Sequence, residues 1–396
     1  MRFRNLHCGY KTGALTKCAM ASFALIVASS TLNVCAEEFQ PEQLKDGASL
    51  PADMSRIYVS DFSIGHLMDG RTYILDAKTG RYAGGIDGGY SGQFALSPDG
   101  RQAYVAATYL SRHSHGERTD VLELYDTGTL RLLGDVILPK KRAQALFSKE
   151  LLRTSFDGRY IYVQNATPAT SVTVVDLMQR KVLTEVPSPG CWALFPSQTY
   201  SLRYSMLCGD GTLNTVTLNE DGSVLKRAAS KRFFDGEKDP VFINAADDGA
   251  NYYFLSFNGN LTTATLSEEQ PVIGATVALV QENDRKRGWR PGGYQLQALY
   301  RANGRLFIGM HPNGKEGTHK NPAQEIWVID LKSGKLLSRL KASNATALSV
   351  NQGAPGYLYA LDGIKNQIHA YDLNNKLREV YVTEPVGEVP IQVYTP

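Results

Sequence analysis

Among 396 residues, seven histidines and five cysteines are the side chains best suited to metal ligation, redox or nucleophilic work. His113 and His115 form an H-x-H pair in SRHSHGERTD. On a strand that spacing puts both rings on one face, as a metal site needs. No third ligand follows nearby, and the segment reads as a polar loop between strands. His311 and His319 stand in HPNGKEGTHKNPAQ, which is too long for a tight hairpin. Long ordered loops carry function more often than short ones, and here partner contact fits better than catalysis. WRPGGYQ joins Trp289 and Tyr294 through a Pro-Gly-Gly turn, either as a tight approach to a strand or as a second partner contact. DRKRGWR reads as a solvated basic face, and Asp247-Asp248 as turn residues. There is no G-x-S-x-G elbow, C-x-x-C-H haem attachment or P-loop. Residue types alone nominate no catalytic, cofactor-binding or metal-binding residue.

What must position these residues is a chain whose charge divides unevenly. The first 36 residues hold four bases (Arg2, Arg4, Lys11, Lys17) and no acid, leaving 38 bases against 39 acids. A net −1 excludes the basic footprint of a nucleic-acid binder. The bases precede a mostly apolar stretch, CAMASFALIVASSTL, and then Val34-Cys35-Ala36. This predicts a cleaved export signal over 1–36, cut after Ala36, and an exported protein. The apolar stretch is broken by serines and falls short of the ~20 residues of a membrane span. Lipidation at Cys35 would call for a smaller residue than Val34 before it.

The rest of the chain is periodic. A strand–turn–strand phrase ends its first strand at Asp76 in YILDAKTGRYAGGI, at Asp126 in LELYDTGTLRLLGDV and at Asp176 in VTVVDLMQRKVLTEV. It recurs at Asp330 and Asp372, and in degenerate form at Thr217 and Thr265, which makes seven copies. A second phrase precedes each copy: an apolar strand, a turn such as Asp99-Gly100, Asp157-Gly158 or Asp248-Gly249, and a strand rich in Tyr and β-branched residues. Four strands per repeat of about 40–50 residues is the pattern of a β-propeller blade. The expected fold is therefore all-β, a seven-bladed propeller over 55–396 behind an N-terminal arm at 37–54.

Inner strands are expected near Gln93, Leu152, Trp192, Phe242, Gln295 and Leu348. The first blade lacks one and begins at Arg56-Ile57-Tyr58-Val59. The tail Ile391-Gln392-Val393-Tyr394-Thr395-Pro396 resembles Gln93-Phe94-Ala95-Leu96-Ser97-Pro98, so it is expected to fill that place and close the ring. Closure removes an open sheet edge. Outside the leader only Cys191 and Cys208 remain, and two thiols cannot complete a four-ligand zinc centre. Their midpoint falls between Thr199 and Tyr200, in a predicted turn, so they face each other across a hairpin as a disulfide pair.

Several stretches resemble the heavy subunit of the tryptophan tryptophylquinone amine dehydrogenases, and within it the aromatic (aralkyl) amine branch more than the methylamine branch. They are RIYVSD, GERTDVLELYD, QNATPATS, GCWALFP, LCGDGTL, GWRPGGYQ and especially HPNGKEGTHKNPAQEIWVID. The cysteines stand where that family places a disulfide. The resemblance implies a propeller without cofactor of its own, paired with a small disulfide-rich light subunit as two heavy and two light chains in the periplasm. The quinone and the proton-abstracting base would lie on the light chain. The implied reaction is oxidative deamination of primary amines to aldehyde and ammonia, with electrons passing to a blue-copper protein of azurin or amicyanin type. The heavy chain would help wall off the substrate channel from water. The family's phenylalanine at the channel mouth aligns with Ile64, with Phe62 two residues earlier; either Phe62 takes over or the entrance is wider. Two rivals are a self-sufficient propeller enzyme such as a lactonase, which would need a cation site that Asn244 and Asn351 do not complete, and a binding module of YVTN type.

Overall fold

β-Branched and aromatic runs set the strands. SVTVVD at Ser171–Asp176 and YIYVQN at Tyr160–Asn165 are buried at every position, as strands covered on both faces must be. The computed structural model describes residues 49–396, apart from 145 and 354 and the side chain of Ile64. The expected leader at 1–36 and residues 37–48 of the expected arm lie outside the described residues. Of the arm's remainder, the Leu50 amide donates to the Gly128 carbonyl at 2.8 Å.

The described chain is all-β, built of antiparallel sheets in which most strands pair with a sequence neighbour. Three sheets have four strands each, beginning at Leu152–Thr154, Cys191–Pro196 and Ala246–Asp247. A seven-stranded and an eight-stranded sheet each run through one long strand, Tyr82–Leu96 or Lys335–Val350. The first half of each long strand is the outer strand of one group of strands, and its second half is the inner strand of the next. Burial falls from the inner strands outward: Gln297–Tyr300 is buried throughout, whereas Val224–Ala229 is almost wholly exposed.

The strand Pro390–Tyr394 pairs antiparallel with Arg56–Asp61, with Tyr58 opposite Tyr394 and Val59 opposite Val393. The end of the described chain thus supplies the inner strand of the first group. The core lies between neighbouring sheets. Tyr58, Ile74 and Ile86 pack with Phe94 and Val105 of the next group, and Tyr104 and Leu122 pack with Ile161 and Val175 of the one after. The last group returns to the first: Leu361, Ile368 and Ala370 share a core with Ile57, Val59, Leu75 and Val393. The hydroxyls of Tyr359 and Tyr381 both donate to the Ala77 carbonyl, at 3.1 and 2.8 Å.

The repeated aspartates are turn locks. The Asp76 carboxylate accepts from the amides of Lys78 and Thr79 at 2.7 and 3.0 Å, and Asp126 accepts from Gly128 and Thr129 at 3.1 and 2.7 Å. Asp330 accepts from Ser333 N at 2.7 Å and Asp372 from Asn374 N at 2.8 Å. A carboxylate at this place satisfies amides that the two-strand ladder leaves unpaired. In the inner hairpins, Asp99 and Asp157 each accept a serine hydroxyl at 2.6 Å, from Ser97 and Ser155. Gly100 and Gly158 follow them at φ +68° and +72°, where a side chain would be strained. The expected inner strand near Phe242 forms instead at Ala246–Asp247. Phe242 keeps one ladder bond, its amide to the Leu255 carbonyl at 2.9 Å, and Val241 makes only an isolated bridge to Ser256.

Candidate functional site

The chemistry-bearing residues fall at two ends of the inner strands. At the end away from the inner-hairpin turns, Cys191 and Cys208 are directly opposed in register and disulfide-bonded, with Cα atoms 4.0 Å apart. The Gly209 amide extends that clamp to the Gly190 carbonyl at 3.0 Å.

At the same end, buried Asp61 holds two segments at once. Its carboxylate accepts from Ser63 N at 2.8 Å, Val389 N at 2.8 Å and Glu388 N at 2.6 Å. The loop after it is thereby tied to the segment that leads into Pro390–Tyr394. Phe62 follows, half-buried, with its ring against Phe147 and its amide donating to the Val389 carbonyl at 3.1 Å. Ser63 is at φ +45°, and Ile64 opens the 3-10 turn Ile64–His66; the Ile64 side chain lies outside the described set.

The second cluster is built on Trp289–Tyr294 and the loop after His311. Asp284, in the short helix Glu282–Lys286, pairs with Arg287 at 2.5 Å and Arg339 at 2.7 Å. Burial alone would raise its pKa, but the bonds and charges of the two arginines hold it below the usual aspartate value. Arg339 in turn lies 4.2 Å from the Trp327 ring centre and 5.9 Å from that of Trp289. The indole N–H of Trp327 donates to Glu325 at 2.8 Å. Trp289 is therefore mostly buried, part of a cation–aromatic stack.

The glycines of WRPGGYQ have a packing reason. A Cβ on Gly292 would lie 2.5 Å from His311 Cδ2, and one on Gly293, at φ +127°, would lie 2.8 Å from the Thr346 carbonyl oxygen. The chain threads between those two strands, and the Gly293 amide donates to the His319 carbonyl at 3.1 Å. His311 is only 2% exposed, its Nδ1 bonded to the Pro312 carbonyl at 3.0 Å. Burial pushes its pKa down, against the pull of that carbonyl. Tyr294 and His319 are exposed, with the Lys320 ammonium 5.6 Å from the centre of the Tyr294 ring. The structure thus brings Trp289, Tyr294, His311 and His319 together and turns Tyr294 and His319 outward. His311 stands inside, where it can act on a partner only through the loop covering it.

The other end holds what sequence reasoning missed. Inner strands from every part of the chain converge on a cavity of about 450 Å³ lined by Lys149, Arg153, Asp247, Gln297, Arg301 and Tyr394, among others. Arg301 bonds to the Asp247 carbonyl through Nε at 3.1 Å and pairs with its carboxylate. The signal was present in SKELLRTSF, where Lys149 in the 3-10 turn Lys149–Leu151 and Arg153 in the inner strand Leu152–Thr154 stand four residues apart. Asn244 and Asn351 are consumed locally. The Asn244 side chain donates to Glu150 and accepts from Gln297 N, both at 3.2 Å, and that of Asn351 accepts from Tyr357 N at 2.6 Å. No group of three or more His, Cys, Asp or Glu able to hold a metal ion occurs among the described residues. The H-x-H pair lies at an exposed hairpin tip. No helix among the described residues is long and apolar enough to cross a membrane.

The chain as a whole is similar to known proteins. The chain is 27% identical over 393 residues to the methylamine dehydrogenase heavy chain of Methylophilus methylotrophus, covering 98% of this chain and 95% of that one. It is also 27% identical to the methylamine dehydrogenase heavy chain of Methylobacillus flagellatus, over 88% and 86% of the two chains. Among solved structures, a putative 6-phosphogluconolactonase from Bacteroides fragilis superposes with a TM-score of 0.60 at 13% identity, over 90% of this chain and all of that one. That likeness speaks for the fold alone. A sequence profile described as methylamine dehydrogenase heavy chain (MADH) matches residues 53–395, so the chain belongs to the methylamine dehydrogenase heavy chain family.

Proposed function

We propose that this chain is the non-catalytic heavy subunit of a periplasmic amine dehydrogenase, assembled as two heavy and two light chains. The observation that carries the reading is the match from residue 53 to 395, together with relatives named as heavy chains that align almost end to end. The substrate class is primary amines, in particular aromatic or aralkyl amines, oxidised to aldehyde and ammonia. A blue-copper protein of azurin type takes the electrons.

The redox group, a tryptophan tryptophylquinone, is assigned to the light subunit, where it would supply the two-electron oxidation. Two of this chain's three tryptophans do not fit it. Trp289 and Trp327 are packed rings 5.8 Å apart, with Arg339 across them and the Trp327 N–H spent on Glu325. What this chain contributes is a stiff scaffold and loops that exclude water from a neighbouring site. In this reading the sheets form seven blades, with 55–396 as one propeller behind an arm at 37–54 and an export signal at 1–36. Support comes from the core clusters, each of which joins two successive groups of strands, the last rejoining the first. Phe62 and Ile64 would shape access for the amine, and Tyr294 and His319 would meet the light subunit, backed by Trp289 and His311.

The test is co-expression with the adjacent open reading frames, followed by a screen of tyramine, tryptamine and methylamine. The complex is expected to oxidise an amine, and the chain expressed alone to show neither turnover nor quinone absorbance. Turnover by the isolated chain overturns the assignment. Identical KM values for several amines in Ile64→Ala and Phe62→Ala complexes would remove these residues from substrate access.

A further inference from the structure

We propose that the cavity at the inner-hairpin end of the inner strands is a binding site for a small phosphate-type oxyanion. This does not rest on the amine dehydrogenase reading, because no residue assigned to that function lines it. Three cationic heads converge there: Lys149 and Arg153 from one inner strand and its approach, and Arg301 from a turn about 150 residues further on. Two acids lie among them, and both are already engaged. Asp247 is taken by Arg301. Glu150, 1% exposed, accepts from the Ser148 hydroxyl and from Asn244 at 3.2 Å. The Lys149 ammonium and the Arg153 guanidinium, both mostly buried, make no hydrogen bond or ion pair among the described residues; Asp247 and Glu150 reach them only through space.

Burial pulls the pKa of the Lys149 ammonium down against the field of Glu150, and a ligand of opposite sign offsets the cost of a buried, unbonded cation. An arginine fork and a lysine point charge around one space is the donor set that phosphate recognition uses. A cavity of about 450 Å³ has room for roughly fifteen waters at about 30 Å³ each, enough for a hydrated phosphate or a small phosphate monoester. Around it stand Phe156, Tyr394 and Pro396, which would shield the charges from bulk solvent. The same arrangement opposes a cation, so the cavity does not complete the metal site that a lactonase-type propeller would require.

The experiment is thermal unfolding of the full chain while inorganic phosphate replaces chloride at constant ionic strength, with citrate as a carboxylate arm. The melting temperature is expected to rise with phosphate as mass action dictates. Lys149→Met keeps the length and removes the charge. It should leave the phosphate-free melt unchanged or higher and weaken the apparent phosphate affinity about tenfold or more. Arg153→Lys, which keeps the charge but loses the fork, should weaken it less and serves if the first variant fails to fold. No response to phosphate up to about 10 mM overturns the site. So does a rise shared equally by wild type and both variants, the signature of general salting-out. A response to citrate and not to phosphate overturns the assigned class.

Discussion

The two ends of the inner strands are built on opposite principles. At the loop end the buried carboxylates are answered: Asp61 accepts three amides, and Asp284 is gripped by Arg287 and by Arg339, which also covers two tryptophan rings. Long loops there are pinned by glycine threading and a disulfide. At the inner-hairpin end the turns are short and repetitive, while the cavity they surround gathers three cations, of which only Arg301 is ion-paired. A surface with pinned loops and paired buried carboxylates suits rigid docking, where little remains to be ordered on association. A site left electrostatically incomplete suits a ligand.

Four changes would break or sharpen this contrast. The largest effect is expected from deleting residues 390–396. Ile391 and Val393 are buried and the strand pairs with Arg56–Asp61. With roughly 1.5–3 kcal/mol lost for each buried side chain, besides the ladder itself, the melting temperature should fall by roughly 10 °C or more. An unchanged melt would mean the strand is ornamental. Next, the Cys191→Ala/Cys208→Ala double variant should lose about 3 kcal/mol in urea unfolding, the entropy of closing a loop of this length. If the cavity end were the organising end, that loss would be near zero.

Third, Tyr294→Ala with His319→Ala should weaken capture of the light subunit by about tenfold in a pull-down titration, a change of about 1.4 kcal/mol. The melt of the isolated chain should stay the same, because both side chains are exposed. A loss of stability instead would make them structural. The smallest effect is expected from acid. The hydroxyls of Ser333, Thr129 and Ser97 hold the carboxyls of Asp330, Asp126 and Asp99 below their ordinary value of 3.8. A depressed folded-state pKa contributes stability that is present above about pH 3.8 and lost as pH falls below it. Ser333→Ala should therefore narrow the difference between melts at pH 6 and pH 3, and an unaltered difference would show that the turn lock is energetically idle.

Much of this was legible because its causes are local. The aspartates at the turns do their work within three residues, so a repeat in the sequence was also a repeat in hydrogen bonding. The pairing of the end segment could be read because Ile391–Pro396 carries the pattern of an inner strand. Less could be read where a residue's role depends on distant chain. The glycines at 292 and 293 make sense only beside His311 and Thr346, and the inward turn of His311 could not be inferred from a loop motif. Lys149, Arg153 and Arg301 meet only after folding, so their clustering left no mark beyond two cations four residues apart at one inner strand. The strand expected near Phe242 formed four residues later, since Val241 finds a single bridge and no continuous ladder.

Asp61 has a practical corollary. One carboxylate both sets the pose of the Phe62 loop and fastens a segment more than three hundred positions away. Alterations at 388 and 389, remote in the gene, would retune the neighbourhood of Phe62 by mechanical transmission through Asp61. An affinity tag appended beyond Pro396 deserves a cleavable design for the same reason, lest strain on that seam be mistaken for altered substrate choice.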